Sequence, residues 1–173
     1  MKKLSKNIKI LSKYVKLNRK KFLIFNKKEI YHSFIQQDYI TIIAITKNKK
    51  YAIVKQFRNV IEKNTLEFPG GTIDSNESPI EAARRELAEE AGIYSVKKPV
   101  LLGRLYPDVG RLENKLWVFY IKDCKHIKKW KKEKLVKVFF ISKKELLSLI
   151  KKGKMNSSVH LSAIALLLIK KII

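Results

Sequence analysis

The stretch from Gly70 to Ile93, GGTIDSNESPIEAARRELAEEAGI, decides how the rest of the chain is read. Ser78-Pro79-Ile80-Glu81 has the form of a capping box with proline at the first helical position. Gly92 follows as a natural stop. These signals predict a helix over Pro79–Ala91. On it Ile80, Ala83, Leu87 and Ala91 share one face at helical spacing and should pack on a sheet. Glu86 and Glu90, four residues apart, share a different face with Glu89 beside them. Like charges at that spacing cost an isolated helix about 0.2–0.5 kcal/mol per pair, so a cation should offset them. An ion-pair ladder through Arg85, four residues from both Glu81 and Glu89, would explain the helix alone. It explains neither the Gly70-Gly71 pair ahead of the helix nor the spacing to Glu77. A glycine pair permits close backbone approach and frees carbonyls to face a ligand. Clustered carboxylate oxygens without His or Cys suit Mg²⁺ or Mn²⁺ rather than zinc.

The surrounding chain is of a different character. It has 173 residues, enough for one globular domain with a core of its own. With 46% hydrophobic and 31% charged residues it is neither a disordered tail nor a fibre. The formal charge of +24 invites a nucleic-acid or anionic-surface reading. However, the charge is mostly lysine, and it is scattered rather than gathered into one block. An abundance of Lys, Ile and Asn is what an AT-rich coding sequence produces by itself. The single cysteine, Cys124, rules out a disulfide framework and fits a reducing, cytoplasmic setting. The basic N-terminus lacks the continuous apolar run of a signal peptide. The longest apolar run, residues 163–169, is far short of the roughly 20 residues needed to span a bilayer, so the chain reads as soluble.

In chain order, residues 1–20 show weak helical spacing among lysines and are given no regular structure. They are set apart as a basic N-terminal segment from a single domain over 21–173. Residues 22–25 and 30–35 read as strands joined by a turn at Asn26-Lys27-Lys28. Residues 39–46, YITIIAIT, are nearly all β-branched or apolar and predict a central strand buried on both faces. A turn at 47–50 leads to a second strand at 51–56, then a polar loop at 59–65. Trp117, Phe119 and Ile121 alternate with Val118 and Tyr120 as a core strand. His32, His126 and His160 show no ligand spacing and are read as structural. Trp130, amid lysines, is read as a half-exposed loop aromatic rather than a base-stacking platform.

The segment from Gly71 to Ile93 resembles the Nudix box, G-x5-E-x7-R-E-U-x-E-E-x-G-U with U apolar, at every specified position. The flanks extend the resemblance. Val54-Lys55-Gln56-Phe57-Arg58 followed by Leu66-Glu67-Phe68-Pro69-Gly70-Gly71 is similar to the ADP-ribose pyrophosphatase-like branch, as is Tyr106-Pro107-Asp108-Val109-Gly110. The resemblance covers most of the chain from about residue 20. It implies an α/β fold: a Nudix α/β/α sandwich with a mixed β-sheet and an N-terminal antiparallel strand region.

The resemblance also implies an activity, Mg²⁺-dependent hydrolysis of a nucleoside diphosphate sugar, with ADP-ribose giving AMP and ribose 5-phosphate. By residue-to-residue match, Glu86 and Glu90 would be the main metal ligands, with Glu89 near them and the Gly70 carbonyl completing the set. Arg85 would hold the box glutamates, and Glu77 would be structural or stand in the outer shell of the metal. Arg58 would contact phosphate, and its guanidinium fork suits that task on its own chemistry. Thr72, Asp108, Gly110 and Glu113 correspond to substrate-contacting positions. The branch usually places a glutamate-bearing acidic loop before its last strand. Here residues 126–137 are HIKKWKKEKLVK, and Glu133 is the one carboxylate available as a base. A homodimer is implied as well. Two rival functions stand beside this reading, a pyrophosphohydrolase of RNA 5′ ends and a catalytically weak module that binds nucleotide or RNA. No membrane role is expected.

Overall fold

The structure is a computed structural model and describes residues 1–131 and 135–172. Ten strands and three helices form two compact units, residues 39–105 with 116–173 and residues 1–38 with 106–115.

The larger unit is built on β4 (Tyr39–Thr46), the expected central strand. Its neighbours are β5 (Tyr51–Arg58), antiparallel, and β9 (Leu116–His126), parallel. The sheet continues through β10 (Lys137–Ile141) beyond β5 and β7 (Ile93–Tyr94) beyond β9. β6 (Lys63–Glu67) also pairs with β5, and β8 (Val100–Leu105) with β9. Successive side chains of a strand point to opposite faces, and β4 shows what that does here. Ile40, Ile42 and Ala44 enter one core with Ala82, Ala83, Leu87 and Ala91 of α1 (Pro79–Ala91). Ile43 and Ile45 enter a second core with Leu146 of α2 (Lys143–Lys151) and Ala163, Ile164 and Leu167 of α3 (Ser158–Ile169). Helices therefore cover both faces of a mixed sheet, as an α/β/α sandwich requires.

α1 has the bounds its sequence predicts. The Ser78 hydroxyl accepts from the Glu81 N–H while the Glu81 carboxylate accepts from the Ser78 N–H, and Pro79 opens the first turn. Gly92 closes the helix in the left-handed region at φ 62°. A side chain there would also run into the Trp130 ring, whose indole N–H donates to the Glu89 carbonyl at 3.0 Å. Trp130 is thus half-buried packing at the end of α1.

The smaller unit is a three-stranded antiparallel sheet, β1 (Lys2–Ile10), β2 (Lys16–Ile24) and β3 (Lys27–Ile35). Residues 1–20, given no structure from sequence, are mostly strand. Lys2 and Lys6 interrupt the apolar positions Leu4, Ile8 and Ile10 and weaken the alternation of β1, which cross-strand pairing with β2 completes. The β2–β3 turn is Phe25-Asn26 rather than 26–28, with both residues at positive φ (47° and 62°). That is the two-residue geometry matching strand twist. The polar loop expected at 59–65 is shorter than predicted, because β6 begins at Lys63.

Candidate active site

The glycine turn and α1 meet as the sequence suggests. The carbonyls of Pro69 and Gly71 accept from Ile42 and Ile40 of β4, which pins the turn to the central strand. The Gly70 N–H donates to the Glu90 carboxylate at 2.9 Å. A Cβ on residue 71 would occupy the space of the Glu86 carboxylate, so only glycine lets that carboxylate sit against the turn. Glu86 and Glu90 are both buried, which a carboxylate tolerates only with partners.

Arg85 is a partner of Glu86. Its guanidinium donates to Glu77 at 3.0 and 2.6 Å, to Glu86 at 2.8 Å, to Glu89 at 3.1 Å and to the Thr72 carbonyl at 3.0 Å. The Glu77 bonds raise the arginine pKa most, against the cost of burial, and Glu86 and Glu89 add to the rise. The same bonds hold the Glu77 carboxyl below its ordinary range. The ladder Glu81–Arg85–Glu89 is only half present. Glu81 is in the capping box, and Arg85 reaches back instead to Glu77 on the loop. That contact is why the distance from Glu77 to the helix is fixed.

Among the described residues, no three His, Cys, Asp or Glu side chains are gathered into a metal-holding group. Glu89 is half-exposed and turned to Arg85. What the structure does provide is two buried carboxylates, Glu86 and Glu90, drawn against the Gly70-Gly71 turn. These are oxygen donors of the kind a hard divalent cation takes.

Beyond the turn lies a cleft of about 470 Å³, lined by Tyr39, Arg58, Glu67, Gly70, Thr72 and His160 among others. It is within the size range of small-molecule sites. Arg58, at the end of β5, donates through Nε and Nη2 to the two oxygens of Glu67 at 2.8 and 2.5 Å. Thr65 adds a third bond to Glu67 at 2.5 Å. Burial opposes the Glu67 charge, but the bonds from Arg58, His160 and Thr65 outweigh it and hold the carboxyl well below the usual range. In turn, Glu67 raises the Arg58 pKa further, against burial. Burial pushes the Tyr39 phenol up to about 12.

His160, read from the sequence as structural, is buried in the wall of this cleft. Its Nε2 lies 3.4 Å from Glu67, and its Nδ1 accepts from the Phe68 N–H at 3.4 Å. No local signal could have marked it. It lies on α3, ninety-three positions after Glu67, and only the packing of α3 on β4 brings the two together.

The other expected residues are placed differently. Asp108, Gly110 and Glu113 belong to the smaller unit. The Asp108 carboxylate accepts the N–H groups of Gly110 and Arg111. Glu113 accepts from Asn18 at 2.6 Å and from Ser33, and pairs with Lys20 at 2.8 Å. Against the cost of burial, those partners lower its pKa to about 2. Glu133 lies outside the described residues. Cys124 is buried, which pushes its thiol up to about 12.

The chain is similar to known proteins. A family model described as the NUDIX domain matches residues 36–161. The ADP-ribose pyrophosphatase of Bacillus subtilis (strain 168) is 27% identical over 135 residues, covering 76% of this chain and 72% of that protein. The ADP-sugar pyrophosphatase of Mus musculus is 55% identical over a short stretch of 40 residues, 23% of this chain and 18% of that protein. Among solved structures, one described as an ADP compounds hydrolase superposes with a TM-score of 0.83 at 19% identity. It covers 96% of this chain and 92% of its own, so the fold is shared throughout. The chain belongs to the Nudix family and is a Nudix hydrolase related to the ADP-ribose and ADP-sugar pyrophosphatases.

Proposed function

We propose that this enzyme hydrolyses the diphosphate of a nucleoside diphosphate sugar, ADP-ribose foremost, to AMP and ribose 5-phosphate. The observation that carries the reading is the single cleft bordered by both the Gly70-Gly71 turn and Arg58. The turn holds the carboxylates of Glu86 and Glu90. The carboxylates held against the turn suit a hard cation, and Arg58 in the cleft presents a guanidinium to a phosphate.

Glu86 and Glu90, with the Gly70 carbonyl, would hold Mg²⁺ or Mn²⁺, with Glu89 close by. The cation when bound neutralises diphosphate charge and acidifies a water. Arg85 holds Glu86 and Glu89 fixed in direction, so that the carboxylates need not reorganise when substrate arrives. Arg58, fixed by Glu67, binds a diphosphate oxygen and orients the anhydride for in-line attack. Thr72 lines the same cleft and offers a hydroxyl to the sugar or phosphate. Glu133 is proposed as the base that accepts the proton of the attacking water. Asp108, Gly110 and Glu113 are proposed to touch substrate, and a homodimer in a cytoplasmic setting belongs to the same reading.

A substrate panel with Mg²⁺, containing ADP-ribose, GDP-mannose, diadenosine polyphosphates and triphosphorylated RNA, tests the reading. ADP-ribose should be turned over fastest, and preference for the RNA would overturn it. Glu86→Gln and Glu90→Gln should each abolish turnover, while normal turnover in Glu133→Gln would remove Glu133 from the mechanism.

A further inference from the structure

The mechanism uses Arg58 but leaves unexplained why a histidine is buried behind it. His160 and Glu67 are nearly inaccessible, with side chains 6% and 9% exposed, whereas Arg58 is 48% exposed at the cleft. The three form a line from the interior to the ligand space. Its inner end fixes the tautomer. Nδ1 accepts from the Phe68 N–H, so the ring proton is on Nε2, facing the Glu67 carboxylate. Thr41 stands 3.5 Å from Nδ1, and Phe68 meets the ring edge-on with centroids 5.9 Å apart. The ring is thus held from two sides.

Glu67 therefore receives donors from Arg58, Thr65 and Gln56, and His160 Nε2 stands 3.4 Å from it on the interior side. A carboxylate gripped in this way cannot rotate about its terminal bond, and it fixes the plane of the guanidinium paired with it. Nε and Nη2 of Arg58 are engaged by Glu67, which leaves Nη1 as the nitrogen without a bond to it, on a residue that lines the cleft.

We infer that His160 is a positioning residue which, by donating from Nε2 to Glu67, sets the direction in which Arg58 meets the substrate diphosphate. The inference rests on the proposed phosphate-binding role of Arg58. A histidine present only for packing would serve Phe68 and need not donate to Glu67.

Two substitutions separate these roles. His160→Gln can keep a donor at the position of Nε2, and His160→Asn can keep an acceptor at the position of Nδ1. Positioning predicts that the Gln variant retains catalysis and that the Asn variant loses about tenfold in kcat/KM, mostly through KM. In an Arg58→Ala background, His160→Asn should cause no further loss, because the route to substrate is already cut. The cycle uses whichever diphosphate of the panel the wild type hydrolyses, so rejection of ADP-ribose alone leaves it readable. Independent of turnover, nitrogen NMR of the His160 ring should show the proton on Nε2 and a shift of that resonance in Arg58→Ala. Full activity in the Asn variant, additive losses in the cycle, or a ring protonated on Nδ1 would each overturn the inference. Failure of the panel with the NMR pattern intact would overturn the substrate reading instead.

Discussion

Glu67 shows how one side chain can be shaped by residues from three elements. It is buried, and Arg58, His160 and Thr65 hold it ionised against the cost of burial, with the Gln56 amide beside them. Its pKa in the folded protein lies below the unfolded value, near 4.5. The stability it adds is therefore complete above that pH and is lost as pH falls below it. Urea unfolding of the wild type should weaken as pH drops through the carboxylate range, and Glu67→Gln should be less stable at pH 7 with a shallower decline. Equal slopes would show that Glu67 is not the acid-sensitive group. Arg85 has the parallel role for the helix carboxylates. Arg85→Ala frees Glu77, Glu86 and Glu89 together, and displacement of catalytic groups by about 1 Å can cost 10²-fold. A fall of about 10²-fold in kcat, with Arg85→Lys intermediate, is the expected kinetic result. Both of these residues were given a place in the site or its flanking motif by the sequence, whereas His160 was read as structural. A lone histidine on an apolar helix carries no pattern, and its partners become visible only once α3 is packed.

At the scale of the element, α1 owes its position to local chemistry. The capping box satisfies N–H groups that a helix start leaves bare, and Gly92 adopts a conformation that a side chain would strain. Ser78→Ala should lower stability by about 1 kcal/mol in chemical denaturation. Its effect on kcat should be small if the Arg85 contacts hold the box in place, and a large loss would mean that the cap itself aligns the glutamates. β1 is the contrasting case. Its nine residues are all exposed, and without β2 beside it nothing in the run KKLSKNIKI dictates an extended chain. The loop 106–115 is similar. Glu113 reaches Asn18, Ser33 and Lys20, partners more than seventy positions away in sequence.

For the whole molecule, the charge of +24 has a kinetic meaning whatever its origin. A positive field speeds encounter with an anionic diphosphate, and at about 0.15 M salt the screening length is only about 8 Å. Accordingly, kcat/KM for ADP-ribose should fall modestly as salt is raised towards that concentration, with kcat unchanged. A much steeper slope with triphosphorylated RNA would signal backbone tracking by lysines and favour the RNA-end reading. By itself the sequence determined the central strand, the bounds of α1, the glycine turn and the carboxylates with their arginine. Each of these depends on neighbours within a few residues, so capping, periodicity and spacing leave a direct trace. Only the tertiary structure decided the rest. It paired the lysine-rich N-terminal strands, put Asp108, Gly110 and Glu113 in the smaller unit, and turned Arg85 back to Glu77. It also set His160 behind Glu67 and Arg58. The physical reason is that a buried charge must find its partners through space, and the packing of helices on both faces of one sheet determines which partners are near.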